Sequence, residues 1–369
     1  MNQHVTNPLS GPHTHGKEDT TKLMWTVLLA LTPATLFGIY QFGWPALFLW
    51  LITILASIVF EVLSLWLARK PILPFITDGS AILTGWLLAM TLPPWAPWWI
   101  GVLGGGIAII LGKQVFGGIG QNIFNPAMLA RVALLISFPL EMTLWVHPLP
   151  AFSSHAPAFM DSLLITWHGF AIDAYSGASI MGHVKTELAN GQALSAAMPQ
   201  NYDARALALG FTNGSLGETS AILILLGGGY LMFKRIISWH IPVAMLGTTA
   251  LLATLMHALQ PEHYAGALFH LFSGGLLLGA FFIATDLVTS PNTRTGQIIF
   301  GAGCGLLVFV IRTWGGYPEG VAFAVMLMNA LTPLIDHYIR PRIYGHAYGG
   351  KTLQYSEKRL ARVKQAGEE

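Results

Sequence analysis

The chain has 369 residues, of which 53% are hydrophobic and only 10% charged, with a formal net charge of +2. Soluble domains carry about 25% charged residues, so the composition excludes a water-soluble enzyme of this length and points to an all-α polytopic membrane protein. The single cysteine, Cys304, excludes an intrachain disulfide, a cysteine-ligated zinc site and an iron–sulfur cluster held by this chain alone.

In chain order, the N-terminal stretch "MNQHVTNPLSGPHTHGKEDTTK" is polar and has no signal-peptide apolar core. His13 and His15 lack partner spacing for a metal site. A spanning helix needs about 20 apolar residues. Ten apolar runs are candidates, near 23–42, 45–68, 79–93, 97–112, 122–139, 218–234, 241–258, 267–287, 296–312 and 319–336. The third and fifth are short or interrupted, and the eighth carries Ser273-Gly274-Gly275 in its middle. Trp95, Trp98 and Trp99 read as an interfacial aromatic belt.

With a cytoplasmic N-terminus, every basic residue except Arg131, Lys185, Arg205 and Arg312 falls in a cytoplasmic segment. This places 140–217 outside the cytoplasm. The expected organisation is a cytoplasmic segment 1–22, a first membrane repeat 23–139, an extracytoplasmic loop 140–217, a second repeat 218–336 and a basic cytoplasmic tail 337–369. That tail is a candidate dock for a partner or anionic lipid. Five spans on each side of the loop give two halves of opposite orientation, an inverted repeat. Weak self-similarity agrees: "LTGWLLAMTLPPW" with "LLGAFFIATDLVTSP", and "GGGIAIILGKQVFGGIG" with "AGCGLLVFVIRTWGGYP". Individual glycines, as in Gly101-x-x-x-Gly105 and Gly301-x-x-x-Gly305, are most simply close-packing sites.

Ionisable residues near spans are costly and tend to be functional. Glu61, Asp78, Asp286 and Asp336 lie on the cytoplasmic side, and Glu141, Glu218 and Glu319 on the other. Asp78, Glu218 and Glu319 sit where carboxylates cap helices. Asp286, with Glu61 and Asp78, is the candidate ion path, and Arg131 is the deepest base. "GGIGQNIFNPAM" (117–128) makes an irregular helix entry, where Asn122 and Asn125 offer donors and acceptors to a polar aromatic ligand. From the residues alone, a plain cap and re-entrant turn is the leading reading. No strand precedes it, so it is no dinucleotide fingerprint. In the loop, "IDAYSGASIMGHVK" (172–185) presents hydroxyls among small residues, which reads by itself as an ordinary Ser-Gly loop and also suits an acceptor for covalent modification.

These features together resemble a known family. "ILTGWLLAMTLPPWAPWW", "KQVFGGIGQNIFNPAM", "GSLGETSA", "LGAFFIATDLVTSPNTRTGQIIFGA" and "RTWGGYPEGVAFAVMLMNALTPLIDHYIRPRIYGH" are similar to the RnfD membrane component of Rnf electron-transport complexes. RnfD is in turn related to the NqrB component of the sodium-pumping NADH:quinone oxidoreductases. The resemblance covers about residues 22–348. It implies about ten transmembrane helices in two inverted five-helix repeats, like urea transporters. It implies FMN joined through its phosphate to a hydroxyl in an Asp-x-x-Ser-Gly-Ala-Thr-like motif, here Asp173, Ser176, Gly177, Ala178 and Ser179, with Ser179 as the acceptor in place of threonine. It also implies a non-covalent riboflavin near Asn122 and Asn125, where Ile123 replaces a common proline. The implied partners are a flavin transferase, membrane lipid and the other complex subunits (membrane subunits, a second flavin subunit and iron–sulfur subunits), with no nucleic acid. The implied place is the bacterial inner membrane, with the loop periplasmic. The function implied is electron relay in an ion-translocating ferredoxin:NAD+ oxidoreductase, moving Na+ or H+. Alternatives are the quinone-reductase component and a passive urea-type channel.

Overall fold

The computed structural model describes residues 19–153, 156–169, 176–177, 179–198, 209–317 and 319–341. The apolar runs fold as helices. The first half holds α1 (Thr20–Phe42), α2 (Trp44–Leu67), α3 (Leu73–Thr77), α4 (Ser80–Thr91), α5 (Trp98–Gln114) and α6 (Pro126–Ser137). The connecting region contains α7 (Pro139–Thr143), β1 (Trp145–Val146), α8 (Phe159–His168), β2 (Ser176–Gly177), α9 (Ile180–Ala189) and α10 (Leu194–Ala197). The second half holds α11 (Ala221–Phe233), α12 (His240–Leu259), α13 (Ala267–Phe272), α14 (276–283), α15 (Arg294–Trp314) and α16 (Val321–Tyr338). Among the described residues, α1, α2, α12, α15 and α16 are long and apolar enough to cross a membrane. The short and interrupted runs remain short helices or broken ones, as their sequences suggest.

Local chemistry sets the boundaries. Gly43 at φ +74° is the whole connection between α1 and α2, and Pro45 follows in the first turn of α2. The side chains of Asn125, Ser179, Ser220 and Thr293 each accept a backbone N–H at the start of their helix. Small residues then let helices approach. Gly101 and Gly105 of α5 lie against Thr53 and Ser57 of α2. Gly301 and Gly305 of α15 lie against Ile241 and Met245 of α12, and Thr249 Oγ1 donates to Gly305 O at 3.1 Å. The close-packing reading of these glycines therefore holds in both halves. One expectation fails: Trp95 is 1% exposed and donates from Nε1 to Phe42 O at 2.9 Å, so it belongs to the core and not to an interfacial belt. Trp98 does stack on Trp167 of α8, with ring centroids 4.9 Å apart.

Each half contains one helix broken within the apolar body. Between α3 and α4, Asp78 Oδ1 accepts from Ser80 N and Ser80 Oγ at 2.7 and 2.6 Å. Lys113, near the end of α5, reaches Ser80 Oγ at 2.7 Å and Glu61 Oε1 at 2.8 Å. Between α13 and α14, Arg312 near the end of α15 donates to His270 O at 2.7 Å, to Ser273 O at 2.9 Å and to Glu319 Oε2 at 2.9 Å. Arg312 thus takes up carbonyls exposed at its break, whereas at the first break Asp78 takes up Ser80 N and Lys113 holds the Ser80 hydroxyl. The first break lies beside Met24 and Trp25 at the start of α1. The second lies at the other end, where the connecting region docks. There Leu149 N and Ala151 N donate to Gln41 O and Tyr40 O at the end of α1. β1 pairs antiparallel with β2, Trp145 opposite Gly177.

Lys113 is 3% exposed and Glu61 0%. Removing one member of a buried pair costs about 3–5 kcal/mol, whereas replacing both by apolar groups is often near neutral. Lys113→Ala should therefore sharply lower the thermal unfolding midpoint of the detergent-solubilised protein. The double variant Lys113→Met, Glu61→Leu should recover most of that loss.

Candidate functional site

Two regions at opposite ends of the membrane body gather polar side chains. At the end near the start of α1 lies an open cleft. Its walls are largely apolar, with Leu83, Leu87, Phe281 and Phe282, and its polar groups come from Ser80, Lys113, Asn122, Asn125 and Asp286. The glycines of "GGIGQNIFNPAM" make the entry: Gly117, Gly118 and Gly120 have φ of +119°, +114° and +84°, a region that L side chains rarely adopt. Asn122 folds back to donate to Phe124 O at 3.0 Å. Asn125 caps α6, its Oδ1 accepting from Ala127 N at 3.1 Å and Met128 N at 3.3 Å. Its Nδ2 faces Asp286 Oδ2 at 3.4 Å, across 161 residues of sequence. Asn125 thus caps α6, as the plain reading of its sequence has it, and also lines the cleft. Asp286 also accepts from Val288 N at 3.2 Å and Thr289 Oγ1 at 3.1 Å. Asn122, Asn125 and Asp286 therefore share one cleft. Glu61 stands behind Lys113, and Asp78 stands behind Ser80. Ile123 is exposed.

In the sequence Lys113 stands only as one more cytoplasmic charge. Its burial between Glu61 and Ser80 is hidden there, because only the packing of α5 against α2 and α4 brings them together. The second oxygen of Glu61 is buried without a partner. A mostly apolar cleft with a few convergent polar groups is the usual form of a small-molecule site.

At the other end, Ser179 is the N-cap of α9, its Oγ accepting from Gly182 N at 3.1 Å. It lines a crevice with Trp145, Glu218, Ser273, Gly274 and Glu319. Asp173 and Ala178 lie outside the described residues, and of Ser176 and Gly177 only the backbone in β2 is described. Glu319 is the organising group here. It caps α16 through Gly320 N and Val321 N, accepts from Gly275 N at the start of α14, and pairs with Arg312. Capping, the ordinary role its position suggests, is thus part of its work, and the pair with Arg312 adds a second. Glu218 and Glu319 also border a smaller cavity with Arg131. Arg131 lies over the Trp145 ring at 6.0 Å, with Nη1 3.5 Å from Met142 Sδ. The deep base therefore faces both protein and counter-charge. In the connecting region Lys185 donates to Ile311 O and Tyr317 O at 3.1 and 3.0 Å, and partial burial lowers its ammonium below the usual lysine range.

Gly274 has φ +68°, and a Cβ there would overlap Glu319 Oε2 and crowd Arg312. Gly274→Ala should cost about 1–2 kcal/mol for the left-handed backbone alone, and more for the displaced ion pair. Gly316→Ala, where a Cβ meets nothing within 4 Å, should unfold at the wild-type temperature in the same thermal assay.

Comparison with known proteins agrees with a polytopic helical membrane body. The model of the NQR2, RnfD, RnfE family matches residues 8–345. A relative from Halorhodospira halophila, named as the D-type component of an ion-translocating oxidoreductase complex, is 54% identical over 94% of this chain and 97% of its own length. Relatives of the same name from Stutzerimonas stutzeri and Rhodobacter capsulatus are 54% and 50% identical, covering 91% and 82% of this chain and 95% and 85% of their own. With a family match across nearly all of its length and these identities, the chain belongs to the NQR2, RnfD, RnfE family.

Proposed function

We propose that this chain is the flavin-carrying membrane component of an ion-translocating ferredoxin:NAD+ oxidoreductase complex of the Rnf type. It would relay electrons between flavins and neighbouring subunits and couple that relay to Na+ or H+ movement. The relatives named as components of an ion-translocating oxidoreductase complex support the assignment to such a complex. The observation that carries the flavin reading is the pairing of two sites at opposite ends of one membrane body. One is the Ser179 hydroxyl at a helix start, and the other is the cleft between Asn125 and Asp286.

The residues fit the groups. Ser179 Oγ is a hydroxyl on a helix N-terminus, which favours an attached phosphate, and it remains able to accept from Gly182 N when esterified. In the cleft, Asn122 and Asn125 would hold the polar edge of a non-covalent flavin such as riboflavin, between walls from Leu87 and Phe282. When bound, an isoalloxazine supplies one- and two-electron chemistry, and the protein supplies position and electrostatics. Lys113 holds a positive charge at the cleft, Glu61 fixes that charge in place, and Asn125 keeps Asp286 directed toward the cleft. Asp286, Glu61 and Asp78 are the proposed carboxylates of the inner end of the ion path.

The finer architecture is proposed with this function: two inverted five-helix repeats as in urea transporters, with N- and C-termini cytoplasmic and 140–217 periplasmic in a bacterial inner membrane. The presence of a base paired with a carboxylate beside each of two breaks, one near each end of the body, supports the inversion. The partners are a flavin transferase and the other membrane, flavin and iron–sulfur subunits.

The deciding experiment is in-gel flavin fluorescence of the denatured chain from cells that express the transferase. A fluorescent 40.0 kDa band that disappears in Ser179→Ala and persists in Ser176→Ala is expected. A dark wild-type band would overturn the covalent flavin and favour the channel reading. Asp286→Asn should keep the fluorescent band and lose redox-driven ion uptake in proteoliposomes of the whole complex.

A further inference from the structure

One helix of the connecting region faces the wrong way for water. α8 buries Ser162 and Thr166 and leaves Phe159, Met160, Leu163, Leu164 and Trp167 between 40% and 70% exposed. The two sets follow helical spacing, so one face carries hydroxyls and the other is apolar. A surface helix in water turns its apolar stripe to the core and its polar face outward. α8 does the reverse. Its buried hydroxyls are satisfied within the helix itself: Ser162 Oγ donates to Ala158 O at 2.8 Å, and Thr166 Oγ1 to Ser162 O at 2.9 Å. Asp161 is the helix's only Asp, Glu, Lys or Arg.

Packing against α2 and α5 fixes the depth of this face. α2 is 24 residues long, about 36 Å at the helical rise, against about 30 Å of hydrocarbon in a bilayer. Trp44 and Trp66 stand near its two ends, both with exposed rings, where indoles mark a membrane–water boundary. Between them Leu51, Leu55, Val59 and Leu63 form one exposed apolar stripe. Phe159, which opens α8, packs edge-on against Trp44 and Phe48, with ring centroids 5.6 and 5.3 Å apart. Trp167, near the other end of α8, stacks on Trp98 at 4.9 Å. Trp98 opens α5, and Gly101, about one turn later, meets Leu49 and Thr53 of α2. Trp98 is therefore level with the first two turns of α2, as Phe159 is. Both ends of α8 lie at one depth, beside the Trp44 boundary, so the helix runs along the membrane surface. At 10 residues, about 15 Å, it is too short to cross.

We propose that α8 is an in-plane membrane helix whose exposed stripe from Phe159 to Trp167 is seated in lipid, at the boundary of headgroups and acyl chains, whatever group Ser179 carries. Three observations favour lipid over a neighbouring subunit as the occupant. The stripe is continuous, through Phe159 and Trp44, with the exposed apolar stripe of α2. It lies at the depth where the bilayer boundary falls on α2. With Asp161 alone, it offers almost nothing for charge pairing with a protein partner. An in-plane helix buries its apolar face about 5–10 Å into the headgroup and acyl boundary. The connecting region is then anchored to the bilayer as well as to the helices it docks on.

The test uses the full-length chain in liposomes of phosphatidylethanolamine and phosphatidylglycerol. Cys304 is the chain's only cysteine and is buried, so single variants Leu164→Cys and Gln192→Cys can each be labelled with bimane. Gln192 is an exposed polar residue between α9 and α10. A phospholipid spin-labelled near its headgroup should quench the Leu164→Cys label several-fold more than the Gln192→Cys label, and aqueous iodide should do the reverse. Equal quenching of the two labels by iodide, or equal quenching by the lipid probe, would overturn the seat. The second readout places a benzophenone-bearing residue at Leu164 in the whole complex in its membrane. Phospholipid adducts are expected on illumination. A crosslinked neighbouring subunit in their place would overturn lipid as the occupant.

Discussion

The whole arrangement depends on how backbone breaks are satisfied inside an apolar body. A helix interrupted within a membrane exposes carbonyl and amide groups that no lipid can meet. Here Arg312 meets two carbonyls at one break, and Asp78 meets an amide at the other, where Lys113 holds the Ser80 hydroxyl. Lys113 bridges Ser80 and Glu61, and Arg312 bridges His270 O, Ser273 O and Glu319. The bases are themselves costly to bury, so each carries a carboxylate partner. Glu319 repeats the logic by joining the starts of α14 and α16 to Arg312. Breaks, bases and carboxylates form one interdependent set in each half.

Those same breaks create the sites. Interrupting α3–α4 leaves Ser80 and Lys113 facing a cleft that α6 and the segment after α14 close with Asn125 and Asp286. Interrupting α13–α14 leaves Ser273 and Glu319 beneath Ser179, and puts Arg312 and His270 beside a cavity along α9. Non-helical backbone at membrane depth is tolerated where it lines a cavity or is buried in protein, and here it does both. The small residues of α5 and α15 complete the frame, since only close approach to α2 and α12 brings the two bases to their breaks.

The connecting region is tied to the membrane body and does not stand apart from it. Gln41 Nε2 donates to Gly210 O at 2.6 Å, Leu194 N donates to Glu262 O, and Lys185 caps the carbonyl end of α15. A small apolar cluster of Met181, Val184, Leu194, Ala265 and Phe269 joins α9 and α10 to the start of α13. Ser179, at the start of α9, is thereby kept beside the break at Gly274.

Much was legible in the sequence because membrane solvation leaves a one-dimensional record. Runs of apolar residues marked the helices, Ser273-Gly274-Gly275 marked one break, and the glycines of 117–120 marked an irregular helix entry, whereas Asp78 read only as a helix cap. Asn125, Asp286 and Ser179 were legible as residue types in unusual places, and Ser179 as an acceptor only through resemblance. Trp95 was misread, because an aromatic near a span end is equally an interfacial anchor or a core side chain until its neighbours are known. What only the tertiary structure decided were the partnerships: Lys113 with Glu61, Asn125 with Asp286, Arg312 with Glu319, and the cavity between α9 and α15. Hydropathy is a property of each residue in turn, so sequence carries it directly. An ion pair or a cavity depends on which helices meet, and that is settled only when the small-residue faces pack.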